Sequence, residues 1–138
     1  MPLRQLHACA QPGCGRATRE RYCARCSQQN ISQQTNRDRL AELRRRRIRR
    51  LYDSALWRHR IRPLVLRRDP LCRIAEICGG HAPSTEVDHK TPAAVWIEQH
   101  AGDEASFYDL ENLQGACKAD HAHKTASEDR TAQHARAS

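Results

Sequence analysis

Asp88 and His89 stand side by side in Glu86-Val87-Asp88-His89. Asn112 follows about two dozen positions later, in Glu111-Asn112-Leu113-Gln114, and His121 comes nine positions beyond that. A carboxylate and an imidazole can hold one divalent cation against a phosphate while a second imidazole takes a proton from water, which is most of what phosphodiester hydrolysis needs. Singly, each residue is commonplace, and an Asn in a turn is usually turn chemistry. Their joint order is the signal.

A second set of chemical groups lies near the N-terminus. Cys9 and Cys14 are separated by four residues and Cys23 and Cys26 by two, with Gln11-Pro12-Gly13 making a turn inside the first pair. Two close pairs joined by a short polar loop can close a tetrahedral zinc site of four sulfurs, because each pair brings two thiolates to one point. A knuckle this small cannot fold on its own apolar content, so the metal would be its core. His7 is a spare donor once four cysteines satisfy the site. The chain has seven Cys, an odd number, which argues against a fully paired disulfide framework and for metal ligands or buried thiols.

These groups need elements to position them. At 138 residues and 38% apolar content there is room for one modest domain with accessory pieces, and a large core is excluded. The formal net charge is +8 and the basic residues are almost all arginine, which favours bidentate phosphate contacts. Residues 1–35 carry +4, residues 36–73 carry +10 and residues 74–138 carry −6. Polyanion affinity belongs to the first half, and the acidic second half suits collection of metal ions. No apolar run reaches the length of a membrane span, and Met1 to Gln11 lacks a secretory hydrophobic segment, so a cytoplasmic protein is expected.

Ser27 to Asn36 is polar, without apolar periodicity, and reads as a linker. Beyond it Leu40, Leu43, Ile48, Leu51 and Ala55 fall on one broad helical face, while Arg44, Arg45, Arg46, Arg47, Arg49 and Arg50 cover the remainder. Phosphate would relieve the repulsion in this block, with contacts that position the protein without reading sequence. At 4% aromatic content the chain lacks the stacking platforms of single-strand binders, so duplex DNA is the expected partner. Asp53 or Ser54 can cap a second helical segment carrying Trp57, a packing anchor. Pro63 starts another turn, and Asp69-Pro70 ends it.

Thr85 and Val87 suit a short strand, and Ala119 to Gln133, free of Pro and Gly, favours a helix. Lys124 is three residues after His121 and shares its face, so a phosphate at His121 could meet it too; His123 points elsewhere. Within the long loop from Thr91 to Tyr108, Ala93 to Glu98 suits a helical turn, and Trp96 and Phe107 are expected to close over the core. Glu86, Asp103, Glu104 and Asp109 are left as surface or loop acids, with Asp103 in reserve for a contact near the metal.

The runs Tyr52-Asp53-Ser54-Ala55-Leu56-Trp57, Leu66-Arg67-Arg68-Asp69-Pro70-Leu71-Cys72 and Ala82-Pro83-Ser84-Thr85-Glu86-Val87-Asp88-His89 resemble small phage HNH endonucleases. The likeness continues through Gly102-Asp103-Glu104, Phe107-Tyr108-Asp109 and Asn112-Leu113-Gln114 to Lys124-Thr125, nearly the whole chain. It implies an α+β protein with a ββα-metal (His-Me finger) module: a strand ending near His89, a long loop, a second strand near Asn112 and a helix carrying His121. It further implies that His89 is the general base, and that Asp88 and His121 hold one divalent ion (Mg²⁺, Mn²⁺ or Ni²⁺). Asn112 would orient His89 or its loop, or join the metal site. The implied products are a 5′-phosphate and a 3′-hydroxyl, and the implied setting is phage DNA packaging beside a terminase, or another phage DNA-processing step.

The chain departs from the pattern at a second zinc site. Where relatives carry Cys-x-x-Cys pairs, the partners of Cys72 and Cys117 at that spacing are Ala75 and Asp120. Cys78 could join Cys72, Cys117 and Asp120 in a site of three thiolates and one carboxylate, carboxylate being an allowed zinc ligand, or the three thiols pack as small hydrophobes. The expected organisation is a four-cysteine zinc knuckle over 1–30, a linker and arginine-rich arm over 31–70 and a nuclease module over 71–138. The alternative from another class is a zinc-containing DNA-binding or adaptor protein with an inactive nuclease module.

Overall fold

Turn glycines shape the start of the chain. Gly13 and Gly15 have φ of +77° and +62°, the left-handed region that side chains with a Cβ avoid, and they fold Gln11 to Arg16 back on itself. The result is a hairpin of β1 (His7–Ala8) and β2 (Ala17–Thr18), in register His7 with Thr18 and Ala8 with Ala17. The computed structural model describes residues 5–137; residues 1–4, at the head of the expected knuckle, and residue 138 lie outside them. After the hairpin comes α1 (Ala24–Tyr52).

The expected linker is therefore corrected, because Ser27 to Asn36 is helical throughout. This stretch has no Pro or Gly, and its polar side chains bond within the helix. Ser32 and Thr35 donate to carbonyls four residues back, and Gln34 Nε2 donates to Asp38 Oδ1 at 3.0 Å. Such a helix needs no apolar stripe, because it is polar and solvated around its circumference. The expected apolar face of the arm is likewise only half realised. Leu51 is buried and Ile48 packs beside the core, but Leu40 and Leu43 are exposed.

Contacts divide the chain into Met1–Arg46 and Arg47–Ser138. This differs from the expected boundaries at 30/31 and 70/71. Ile48, Leu51, Trp57, Ile61, Val65 and Leu66 share one core with Val87, Ala93, Ile97, Phe107 and Leu113, so much of the expected arm packs with the elements that follow it.

In the second unit Ser54 caps the chain after α1: its Oγ accepts from the Trp57 amide at 3.1 Å. A π-helical turn, Trp57–Ile61, leads into α2 (Arg62–Arg68), with Pro63 in its first turn, and Asp69 ends it. Then follow β3 (Glu86–His89), α3 (Ala93–Gln99), a 3₁₀ turn at Glu104–Tyr108, β4 (Leu113–Ala116) and α4 (Lys118–Ala137). β3 and β4 are antiparallel, pairing Glu86 with Ala116, Val87 with Gly115, Asp88 with Gln114 and His89 with Leu113. Phe107 is fully buried in the core, but Trp96 is not part of it; Ile97 takes that place and Trp96 lies against His100.

A clamp seats the end of α2 against the sheet. The buried Asp69 accepts from Arg68 Nε at 3.1 Å and Nη2 at 2.7 Å, and from the Gly115 amide at 3.0 Å. The backbone of Asp69 comes so close that a Cβ on Gly115 would lie 2.6 Å from its carbonyl oxygen and 2.6 Å from Ser84 Oγ. Only glycine fits there. Among the described residues no helix is long and apolar enough to cross a membrane.

Candidate active site

Strand alternation sorts the central residues. Neighbours along β3 point to opposite faces. Glu86 and Asp88 face α4, where they meet His121 and Lys124; Val87 and His89 face the aromatic core. The adjacent Asp-His pair therefore presents its carboxylate and its imidazole to different surroundings.

On the α4 side Asp88 is 4% exposed. Its Oδ2 accepts from Gln114 Nε2 at 2.8 Å, directly across the ladder, and its Oδ1 lies 3.2 Å from Lys124 Nζ and 3.7 Å from His121 Nε2. His121 Nδ1 is bonded to Glu86 Oε2. An ionised carboxylate only accepts, so Nδ1 donates to Glu86 and the ring is held with Nε2 on the Asp88 side. A carboxylate fixing the outer nitrogen of an imidazole is the support that metal-binding histidines use. One oxygen and one nitrogen donor suit a hard or borderline divalent ion such as Mg²⁺ or Mn²⁺. Lys124 also donates to the His89 carbonyl at 2.8 Å and pairs with Glu128. Burial works against its charge, but Glu128 and Asp88 outweigh that and hold its pKa above the usual lysine value.

On the core side His89 is also 4% exposed. Its ring stacks on Trp57, 5.8 Å between centroids and 9° from parallel, and tilts against Phe107 at 4.6 Å. Nε2 lies 3.0 Å from the Phe107 carbonyl oxygen and Nδ1 lies 3.1 Å from the Tyr52 hydroxyl. A carbonyl cannot donate, so Nε2 holds the proton and Nδ1 is the basic nitrogen. Burial lowers the pKa of His89, against the pull of the Phe107 carbonyl and Asp88. The imidazole is thus neutral at ordinary pH, as a base requires.

Asn112, 2% exposed, holds the turn after β3. Its Oδ1 accepts from the Thr91 amide at 2.8 Å and its Nδ2 donates to the Thr91 carbonyl at 2.9 Å. His123 points away and meets Glu76 at 3.1 Å. Asp103, held in reserve for the metal, instead caps the 3₁₀ turn by accepting from the Ala105 amide. Arg47, counted among the DNA-binding arginines, is engaged by Glu104 Oε1 at 2.6 Å and the Gly102 carbonyl at 2.5 Å; Arg44, Arg45, Arg46, Arg49 and Arg50 are exposed. Sequence reasoning left Glu86 as a surface acid and gave no role to Tyr52, Gln114 or Glu128. The period of two along β3 could have found Glu86, and the helical step of four from Lys124 could have found Glu128.

Both cysteine groups converge. The ligand atoms of Cys9, Cys14, Cys23 and Cys26 lie within 4.8 Å of one another, as do those of Cys72, Cys78, Cys117 and Asp120. In the first, Cys14 Sγ is 3.7 Å from Cys23 Sγ and 3.5 Å from Cys26 Sγ, close to the roughly 3.8 Å edge of a tetrahedron with Zn–S bonds of about 2.3 Å. The backbone amide of Cys26 pulls the Cys23 thiol down to about 6, while its bond to Cys14 and burial push Cys26 up to about 12. In the second group the fully buried Asp120 lies 3.1 Å from Cys117 Sγ and 3.5 Å from Cys72 Sγ. It also accepts from the Ile77 and Cys78 amides at 2.7 and 3.2 Å. The Cys78 thiol and the Ile77 amide hold its carboxyl below the usual range. Both donor sets fit zinc.

No family model matches the chain, and no curated protein matches it by sequence. Among solved structures it is similar to the HNH endonuclease of the deep-sea thermophilic bacteriophage GVE2, determined with a manganese ion. Identity is 33%, the TM-score is 0.52, and the match covers 65% of this chain and 90% of that one. With that identity over nearly the whole of the relative, and with Asp88 and His89 on β3, Asn112 just before β4 and His121 on α4, the chain belongs to the HNH endonuclease family.

Proposed function

We propose that this protein is a metal-dependent endonuclease that hydrolyses the phosphodiester bonds of DNA, leaving a 5′-phosphate and a 3′-hydroxyl. One observation carries the reading: Asp88 Oδ1 lies 3.7 Å from the Nε2 of a His121 ring held from behind by Glu86, and the next residue along the strand is a histidine whose pKa burial lowers. His89 is the general base. Asp88 and His121 hold a divalent ion, which when bound supplies charge stabilisation at the phosphate and the departing 3′-oxygen. Gln114 and Lys124 fix Asp88, Glu86 fixes His121, and Asn112 fixes the strand exit behind His89.

Zinc at the two cysteine clusters is structural in this reading. The second cluster joins the loop at Cys72 to Cys78 with the start of α4 and so steadies His121. Arg44, Arg45, Arg46, Arg49 and Arg50 contact duplex backbone without reading sequence, and Arg47 braces the 3₁₀ turn. A place beside a phage packaging terminase rests on the phage resemblance of the sequence.

The test is incubation of supercoiled plasmid with purified protein and Mg²⁺, Mn²⁺ or Ni²⁺, with EDTA as control. Nicked or linear product that EDTA abolishes is expected. Intact plasmid under all three metals would favour an adaptor that binds DNA without cutting it.

A further inference from the structure

The basic nitrogen of His89 does not face open solvent. Its ring is enclosed by Trp57 and Phe107, Nε2 is held by the Phe107 carbonyl, and the lone pair on Nδ1 meets the Tyr52 hydroxyl at 3.1 Å. Tyr52 is the last residue of α1, and it is firmly seated. Its ring packs edge-on against Trp57 at 5.1 Å, Phe107 at 4.9 Å and His89 at 5.8 Å between centroids. Yet it is 37% exposed, against 4% for His89. Of the two residues, Tyr52 is the one with substantial exposure, and its hydroxyl meets the imidazole.

We propose that Tyr52 relays the proton from the attacking water to His89. The inference rests on the hydrolytic reading above. As the water oxygen forms its bond to phosphorus, a water O–H breaks and its proton passes to the Tyr52 oxygen. In the same step the Tyr52 O–H breaks and its proton forms the N–H bond at His89 Nδ1. The phosphorus–3′-oxygen bond breaks with its electron pair on oxygen, which takes a proton from solvent. Tyr52 ends the step as a neutral hydroxyl and His89 as an imidazolium, which then returns its Nδ1 proton through the Tyr52 hydroxyl. The 3.1 Å bond between the Tyr52 hydroxyl and His89 Nδ1 lets both transfers occur in one step, with no free tyrosinate formed. Tyr52 is therefore a catalytic residue in this scheme, and Trp57 and Phe107 are positioning residues.

The test compares wild type, Tyr52→Phe and Tyr108→Phe in Mn²⁺ under single-turnover and steady-state conditions. Tyr108 belongs to the same aromatic group, but its hydroxyl bonds Ser54 at 2.9 Å, away from His89. Tyr52→Phe is expected to lose about 100-fold in kcat with KM for DNA unchanged, while Tyr108→Phe cleaves as wild type does. In ¹⁵N imidazole spectra of the protein without DNA, the His89 Nδ1 resonance should move downfield in Tyr52→Phe as it loses its donor. Cleavage by Tyr52→Phe within about threefold of wild type, or an unmoved Nδ1 resonance, would overturn the relay. If wild type itself fails to cut, the hydrolytic reading fails instead, and the spectra still decide whether Tyr52 holds Nδ1.

Discussion

His121 shows how a side chain acquires its chemistry from a neighbour. Glu86 accepts the hydrogen bond from His121 Nδ1 and thereby holds Nε2 on the Asp88 side. Glu86→Gln replaces an ionised acceptor with an amide that binds the ring proton less strongly, so Mn²⁺ affinity should fall about 10- to 100-fold, as for other losses of a carboxylate behind a ligating histidine. A Mn²⁺ titration followed by electron paramagnetic resonance measures this directly, and an unchanged affinity would remove Glu86 from the site. At this scale the sequence was informative about residue identity and silent about direction. Asp88, His89, Asn112 and His121 could be chosen from order and spacing. That Asn112 would spend its amide on Thr91, or that Tyr52 would reach His89, depends on packing between segments far apart in the chain.

Among the elements, the junction of α2 and β4 is held by one charged group. Asp69 ties Arg68 to the Gly115 amide, and Gly115 leaves no room for a side chain. Asp69→Asn should cost about 2 kcal/mol, the range for charge-assisted hydrogen bonds, and Gly115→Ala about 2–3 kcal/mol through overpacking; thermal unfolding measures both. The bond from Arg68 chiefly lowers the Asp69 pKa in the folded state. A group whose folded pKa is depressed contributes fully above its unfolded value of about 3.9 and loses that contribution as pH falls through the folded value. The stability gap between wild type and Asp69→Asn should therefore be constant above about pH 5 and close as pH falls below about 4. Capping and helix-breaking residues made Ser54, Pro63 and Asp69 legible as boundaries. The continuous α1 was not legible, because Ser27 to Asn36 is solvated on all sides and carries no periodic apolar signal.

For the molecule as a whole, the two cysteine clusters and the charge distribution decide behaviour. Elemental analysis of the purified protein should give two equivalents of zinc, and one equivalent would leave Cys72, Cys78 and Cys117 as packed thiols beside Asp120. Replacing Arg44–Arg47 by Ala should flatten the salt dependence of DNA binding by about 0.9 in slope for each phosphate no longer neutralised. Because Arg47 is engaged by Glu104, restoring it alone should recover stability and little of the slope. Composition revealed the basic first half and acidic second half. It could not reveal that the end of the arginine-rich helix carries Leu51 into the core and sets Tyr52 against His89. The central claim is that His89 is the base of a metal-dependent cut. It is tested most directly by the single-turnover cleavage rate of His89→Ala beside wild type, in Mn²⁺ on supercoiled plasmid. A loss of at least about 100-fold with Mn²⁺ affinity retained is the predicted result; cleavage by His89→Ala at the wild-type rate would contradict the account.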